Sequence, residues 1–203
     1  MAARPRGRGA DVATDPADAP LYAALEDQRR LGVLGTSVAE AVAHSELFLP
    51  AVGGSTTVLD LGSGAGVPGL VLAWRRPDLV VILLDARQRR TDQLQRLVGR
   101  LGLSRRVSVR CGTAQELGRW PGLAGRVDAV VARSFGRPVE VIAAARPFLR
   151  IGGRLVVSDP PDGGLRWTRG ILADSDLVRL SADAPGLFVA ELRASDSRGS
   201  TPA

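Results

Sequence analysis

Lysine does not occur in this chain; all 27 basic residues are arginine. Cysteine, histidine, methionine and tyrosine appear once each, and aromatic residues make up only 4% of the sequence. Each scarcity narrows the function. A lone cysteine, Cys111, leaves no internal disulfide and argues for a reducing compartment. It ends an apolar stretch and reads as a buried thiol. The lone histidine, His44, has no second histidine or cysteine cluster near it, so no metal-ligand spacing is present. It reads as an ordinary helix residue, and no Ser–His–Asp or Cys–His constellation accompanies it, so no catalytic residue is assigned. No apolar run approaches the ~20 residues that a bilayer span requires. Arg4, Arg6 and Arg8 are not followed by an apolar segment, so no secretory leader is expected and the cytoplasm is the expected location. No internal repeat is visible.

What is present suits a soluble domain with a sizeable core: 203 residues, 45% hydrophobic and 24% charged. The formal charge is +6. Because Gly, Ala, Arg and Val dominate throughout, much of that excess looks compositional. Arginine still binds phosphate through its planar fork, which gives modest support to an anionic partner.

The informative stretch is Val58-Leu59-Asp60-Leu61-Gly62-Ser63-Gly64-Ala65-Gly66-Val67-Pro68-Gly69. An apolar run ends in an acid and a glycine-dense turn, and an apolar helical segment follows, which is a strand feeding a loop that opens a helix. A dinucleotide fingerprint spaces its glycines G-x-G-x-x-G. Here the spacing is Gly62-x-Gly64-x-Gly66, and Asp60 sits two residues earlier. An acid at a strand tip repels a pyrophosphate and suits a cationic ammonium group, which S-adenosylmethionine (SAM) carries. Asp60, Gly62, Ser63, Gly64 and Gly66 are therefore candidate cofactor residues. Dinucleotide binding and a merely close-packed turn stay open as alternatives.

Along the chain, residues 1–20 read as a disordered tail. A single domain follows over 21–194, led by helices over 21–50 with Ser37 as an N-cap, and 195–203 read as a second tail. Strands are expected near 57–61, 79–85, 107–111, 127–132, 154–158 and 187–193. Helices are expected near 67–75, 87–101, 138–149 and 169–176. This alternation predicts a doubly wound α/β sandwich, with the ligand at the C-terminal edge of its sheet. Asp85 ends the second strand, where a carboxylate accepts ribose hydroxyls or caps the next helix. Ala114-Gln115-Glu116 follow the third strand, where a loop edges an adenine ring or is simply solvated. Arg133 ends the fourth strand, facing the cofactor or a substrate phosphate, or pairing with Asp60 or Asp85. Arg137 lies on the same rim as a candidate substrate-phosphate contact. Arg87, Arg89, Arg90, Arg96 and Arg100 read as a mainly solvated helix face, with no aromatic interleaving for base stacking.

The loop through Gly69, together with Pro77, Leu83-Leu84-Asp85, Leu101-Gly102-Leu103 and Ala132-Arg133-Ser134-Phe135, resembles the RsmG family, also called GidB. Its members are SAM-dependent enzymes that methylate N7 of a guanosine in small-subunit ribosomal RNA. The resemblance covers about residues 44–158. It implies a Rossmann-like class I methyltransferase fold, SAM as cofactor, and ribosomal RNA or the small ribosomal subunit as partner, with neither membrane nor metal. It also implies cofactor contacts at Gly62, Val67, Ala114, Gln115 and Arg133. The chain departs from the family upstream, where Trp-Asn and Asn-Leu-Thr segments are absent. It departs again after the fifth strand, where Ser158-Asp159-Pro160-Pro161 replaces Lys-Gly; these residues read as a loop. A methyltransferase of small molecules or proteins, and a non-catalytic SAM-fold module, remain alternatives.

Overall fold

The computed structural model describes residues 15–158, 166–173, 175–180 and 186–194. Helices α1 (Ala19–Arg30), α2 (Val38–Glu46) and α3 (Phe48–Ala51) lead into strand β1 (Thr57–Leu61). There follow α4 (Gly69–Arg75), β2 (Val80–Asp85), α5 (Gln88–Arg100), β3 (Val107–Cys111), α6 (Ala114–Leu117), β4 (Val127–Ala132), α7 (Pro138–Ala145) and β5 (Leu149–Ser158). Then come α8 (Arg169–Leu172), β6 (Leu177–Arg179) and β7 (Leu187–Leu192).

The seven strands form one sheet in the order β3-β2-β1-β4-β5-β7-β6. The first five run parallel, while β7 is antiparallel to β5 and to β6. The doubly wound expectation holds. Strand order reverses between β1 and β4, and that switch point opens a crevice at the strand ends.

The near-continuous apolar strands follow from cover on both faces. Leu59, Leu61, Ile82, Leu84, Val130, Ala132, Leu155 and Val157 share one buried cluster with Val141, Ile142 and Phe148. The alternate residues Val58, Val81, Leu83, Ala129, Val131 and Val156 share another with Leu70, Leu94 and Leu97. Period-two alternation sends successive side chains to opposite layers.

The N-terminal helices are fastened to this core. Ser37 caps α2 through a reciprocal capping box with Glu40. Leu21, Leu25, Val38, Ala41 and Val42 then bury against Val67 and Val71. The expected tail is shortened at its end, because Asp15 caps a 3-10 turn over Pro16–Asp18 and α1 starts at Ala19. The turn places Asp18, 6% exposed, against the end of α4. Asp18 accepts Trp74 Nε1 at 2.9 Å and Arg75 Nη2 at 2.7 Å. The Arg75 hydrogen bonds hold its carboxyl below the usual range against the opposing effect of burial.

Asp18→Asn is expected to cost about 1–3 kcal/mol, read as a lower melting temperature near neutral pH. The depressed carboxyl contributes stability above the unfolded pKa of about 3.9 and loses it as pH falls through the folded value. The gap between variant and wild type therefore closes in acid.

Three expectations need correction. Helix α7 stops at Ala145, and a 3-10 turn over Arg146–Phe148 leads into a longer β5. The helix expected near 169–176 is α8, which stops at Leu172, and Leu177–Arg179 forms an edge strand that the sequence does not predict. Cys111 is exposed, because β3 is the outer strand of the sheet and its burial falls away toward its last residues. The Asp159-Pro160-Pro161 segment and both expected tails, apart from residues 15–20, lie outside the described residues. Among the described residues, no helix is long and apolar enough to cross a membrane.

Candidate cofactor and acceptor site

The loop after β1 is built onto the end of β2. Gly62 N and Ser63 N both donate to the Leu84 carbonyl, at 2.8 and 2.9 Å. The Ser63 hydroxyl donates to the Asp60 carbonyl at 2.8 Å. Gly64 N then donates to Asp85 Oδ2 at 3.0 Å, while Arg87 N donates to Oδ1 at 2.9 Å. Asp85 thus organises two loops; the N-cap of α5 is Arg87. Arg90 Nη1 stands 3.8 Å from Asp85 Oδ2. Gly112 N donates to the Asp85 carbonyl at 3.2 Å, which fixes the loop carrying Ala114 and Gln115 beside the second strand. Thr113 and Glu116 cap that turn reciprocally, making Ala114–Leu117 a short helix.

Glycine is required in this loop for two separate reasons. Gly62 has φ +72°, and a Cβ there would stand 2.6 Å from the Phe135 ring. Both the left-handed torsion and the contact exclude a side chain. Gly69 has an ordinary backbone, but its Cβ would stand 2.4 Å from Leu83 and 2.7 Å from Asp60 Oδ2. Here the need is close approach of helix to strand.

Asp60 is 1% exposed. Its Oδ2 accepts Gly69 N at 2.9 Å, whereas its Oδ1 is buried without a partner. Burial pushes the carboxyl up to about 7, against the pull of the Gly69 hydrogen bond. Across the switch point, Arg133 follows β4 with Nη1 also buried and unpartnered. Burial lowers its pKa, and the charge of Asp60 acts in the opposite direction. Arg133 forms no ion pair with Asp60 or Asp85 among the described residues, so that alternative is removed. One acceptor and one donor stand unsatisfied in the same crevice, where buried polar groups are normally paired.

Near Arg133 lies a pair that the sequence did not reveal. His44 Nε2 lies 3.0 Å from Ser158 Oγ at the end of β5. Burial lowers the His44 pKa, and the Arg133 charge lowers it further, so the ring is neutral at pH 7. The only sequence signal is that the family resemblance starts at about residue 44. Ser134, at φ +54°, turns the chain so that Phe135 covers Gly62.

Asp60, Gly62, Ser63, Gly64, Gly66, Asp85 and Arg133 share one sheet edge, with Ala114 and Gln115 adjoining. Val67 differs: its side chain packs among Val38, Ala41 and Val71 under the N-terminal helices, leaving only its backbone for the loop. Arg137 stays exposed on the rim, with Nη2 2.7 Å from Glu140 Oε1. Among the described residues, no group of three or more His, Cys, Asp or Glu is placed to hold a metal.

Comparison with known proteins accords with this architecture. An O-methyltransferase from Klebsiella pneumoniae superposes with a TM-score of 0.61 at 18% identity, covering 91% of this chain and 93% of that one. The O-methyltransferase from Bacillus cereus solved with SAH gives 0.62 at 16% identity, covering 91% and 94%. These likenesses establish the Rossmann-like methyltransferase fold. In sequence, a ribosomal RNA small subunit methyltransferase G from Sorangium cellulosum is 41% identical over 122 residues, covering 60% of this chain and 46% of the relative. The protein of the same name from a Nocardioides species is 36% identical over 152 residues, covering 72% and 60%. The chain therefore spans about half the length of the curated relatives it matches. Residues 37–158, well over half the chain, match the family described as GidB, rRNA small subunit methyltransferase G, and with β1 to β5 and their connecting loops all inside that match, the chain belongs to this family.

Proposed function

We propose that the chain is a SAM-dependent methyltransferase that modifies N7 of a guanosine in small-subunit ribosomal RNA, working in the cytoplasm. The observation carrying the cofactor assignment is the unsatisfied pair at the switch point. An α-amino acid group brings one ammonium and one carboxylate. Asp60 Oδ1 suits the first and Arg133 Nη1 the second. Asp85 retains lone pairs for ribose hydroxyls, and the Ala114–Gln115 turn forms the adenine rim beyond β3. When bound, the cofactor supplies an electrophilic methyl on a sulfonium.

The chain's own contribution is placement, a large factor in an in-line displacement. A guanine N7 presents its lone pair directly and needs no prior deprotonation, which agrees with the lack of a base constellation. Neutral His44 and the Ser158 hydroxyl border the acceptor side as hydrogen-bonding groups. Keeping His44 uncharged avoids adding a cation beside the positive charge that develops on the methylated base.

The test uses the full chain, methyl-labelled SAM, and small ribosomal subunits from cells lacking this modification. The expected product is label in the RNA, recovered after digestion as 7-methylguanosine. SAM binding without transfer to RNA, or label in a different nucleoside, would contradict the assignment.

A further inference from the structure

On the face of the domain formed by α1 and α5, the two helices leave a groove of about 450 Å³ between them. Gln28 and Leu31 line it from the α1 side, and Arg96 and Leu97 from α5. Arg100 crosses one end to Asp27, Nη1 to Oδ2, at 2.9 Å. Two features of this groove have no explanation in the packing. Gln28 is 2% exposed, yet its Oε1 is buried without a hydrogen-bond partner. A buried amide acceptor left unpaired is costly and uncommon. Arg96 has no acidic partner among the described residues, although its neighbour Arg100 has Asp27. An arginine beside a buried acceptor and two leucines matches the parts of a nucleotide: a phosphate, a hydroxyl donor and an apolar base face.

We propose that this groove seats one nucleotide of the RNA substrate away from the reacting base. Its phosphate lies on Arg96, its 2′-hydroxyl donates to Gln28 Oε1, and its base lies against Leu31 and Leu97. The proposal rests on the reading that the substrate is RNA. The placement along α5 supports it. That helix starts at the cofactor edge, where Arg87 N meets Asp85. Arg89 and Arg96, seven residues apart, lie on one side of it and are separated by about 10 Å of helix rise. An RNA strand leaving the cofactor edge along this side meets Arg89 first and Arg96 at the groove. The 2′-hydroxyl is the group by which a protein distinguishes RNA from DNA, and a lone buried acceptor is suited to read it.

The test measures binding of a short fluorescent single-stranded RNA, and of the DNA of the same sequence, to the full chain at several salt concentrations. SAM affinity is measured alongside by calorimetry. Arg96→Glu changes an exposed residue and is expected to weaken RNA binding about tenfold, with a salt dependence shallower by about one phosphate. Gln28→Leu is expected to abolish the preference for RNA over DNA while leaving charge-driven DNA binding in place. Both variants should bind SAM as the wild type does, which also reports that they fold. Wild-type RNA affinity and salt slope in Arg96→Glu would overturn the proposal, as would a retained RNA preference in folded Gln28→Leu. If the wild type binds SAM but no RNA, the RNA reading itself fails and the groove assignment fails with it.

Discussion

Asp60→Asn is expected to stabilise the ligand-free protein above pH 7 while weakening SAM binding about a hundredfold. Asp60 is 1% exposed, and burial holds its carboxyl near 7, whereas an unfolded aspartate titrates near 3.9. Between those values the folded state keeps a proton that the unfolded state has lost. Stability therefore falls as pH rises from about 4 to 7, and above 7 the full cost is present. At 1.36 kcal/mol for each unit, that cost is roughly 4 kcal/mol. Asparagine still offers an oxygen to Gly69 N and cannot ionise. Its amide N–H would be buried at the orphaned position, at a penalty of about 1–3 kcal/mol. A net gain of about 1–3 kcal/mol remains near pH 8, and it vanishes near pH 4, where Asp60 is protonated too. Thermal unfolding at the two pH values checks this. Equal destabilisation at both would show that Asp60 serves packing and not a ligand's charge.

Gly69→Ala is the second large effect, expected to cost about 2–3 kcal/mol. For a chain of this size that lowers the melting temperature by about 4–12 °C. Alanine is the better helix former by about 1 kcal/mol, so propensity alone predicts the opposite sign. Sterics override it, because the added Cβ stands 2.4 Å from Leu83 Cδ2, 2.7 Å from Asp60 Oδ2 and 2.9 Å from Asp60 Cβ. Relief requires α4 to move off β1, which lengthens the 2.9 Å bond from Gly69 N to Asp60 and so disturbs that buried carboxyl as well. Gly99 is the internal control. It lies in α5, and a Cβ there meets nothing within 4 Å, so Gly99→Ala should be neutral or stabilising by up to about 1 kcal/mol. Similar stability changes in the two variants would refute the close-approach account of Gly69.

Much of this was legible in the sequence because the signals were local. β1, β3 and β4 fall where their apolar runs placed them, since short Val- and Leu-rich runs bounded by turn residues are a local signal. The glycine spacing with Asp60 located the loop, and Asp85 marked the next strand end. Features set by distant partners were not legible. The apolar strand predicts a buried Cys111, but edge position is a property of the sheet, not of the segment. β6 has three residues and draws its pairing from β7. The His44–Ser158 contact joins residues 114 apart in the chain. The sequence leaves Arg133 open as an ion-pair partner of Asp60 or Asp85; that Asp60 Oδ1 and Arg133 Nη1 are unsatisfied together is a property of the fold.

The role proposed for Asp60 is to receive a cationic group, for which it is kept buried and half-satisfied. SAM titrated calorimetrically near pH 7, in two buffers of different ionisation enthalpy, tests it most directly. A carboxyl poised at about 7 that gains an ammonium partner must ionise on binding. Wild type should therefore release a substantial fraction of a proton for each SAM bound, and the release should disappear from the residual binding of Asp60→Asn. Binding with no buffer dependence, or proton release unchanged in the variant, would contradict the assignment of Asp60.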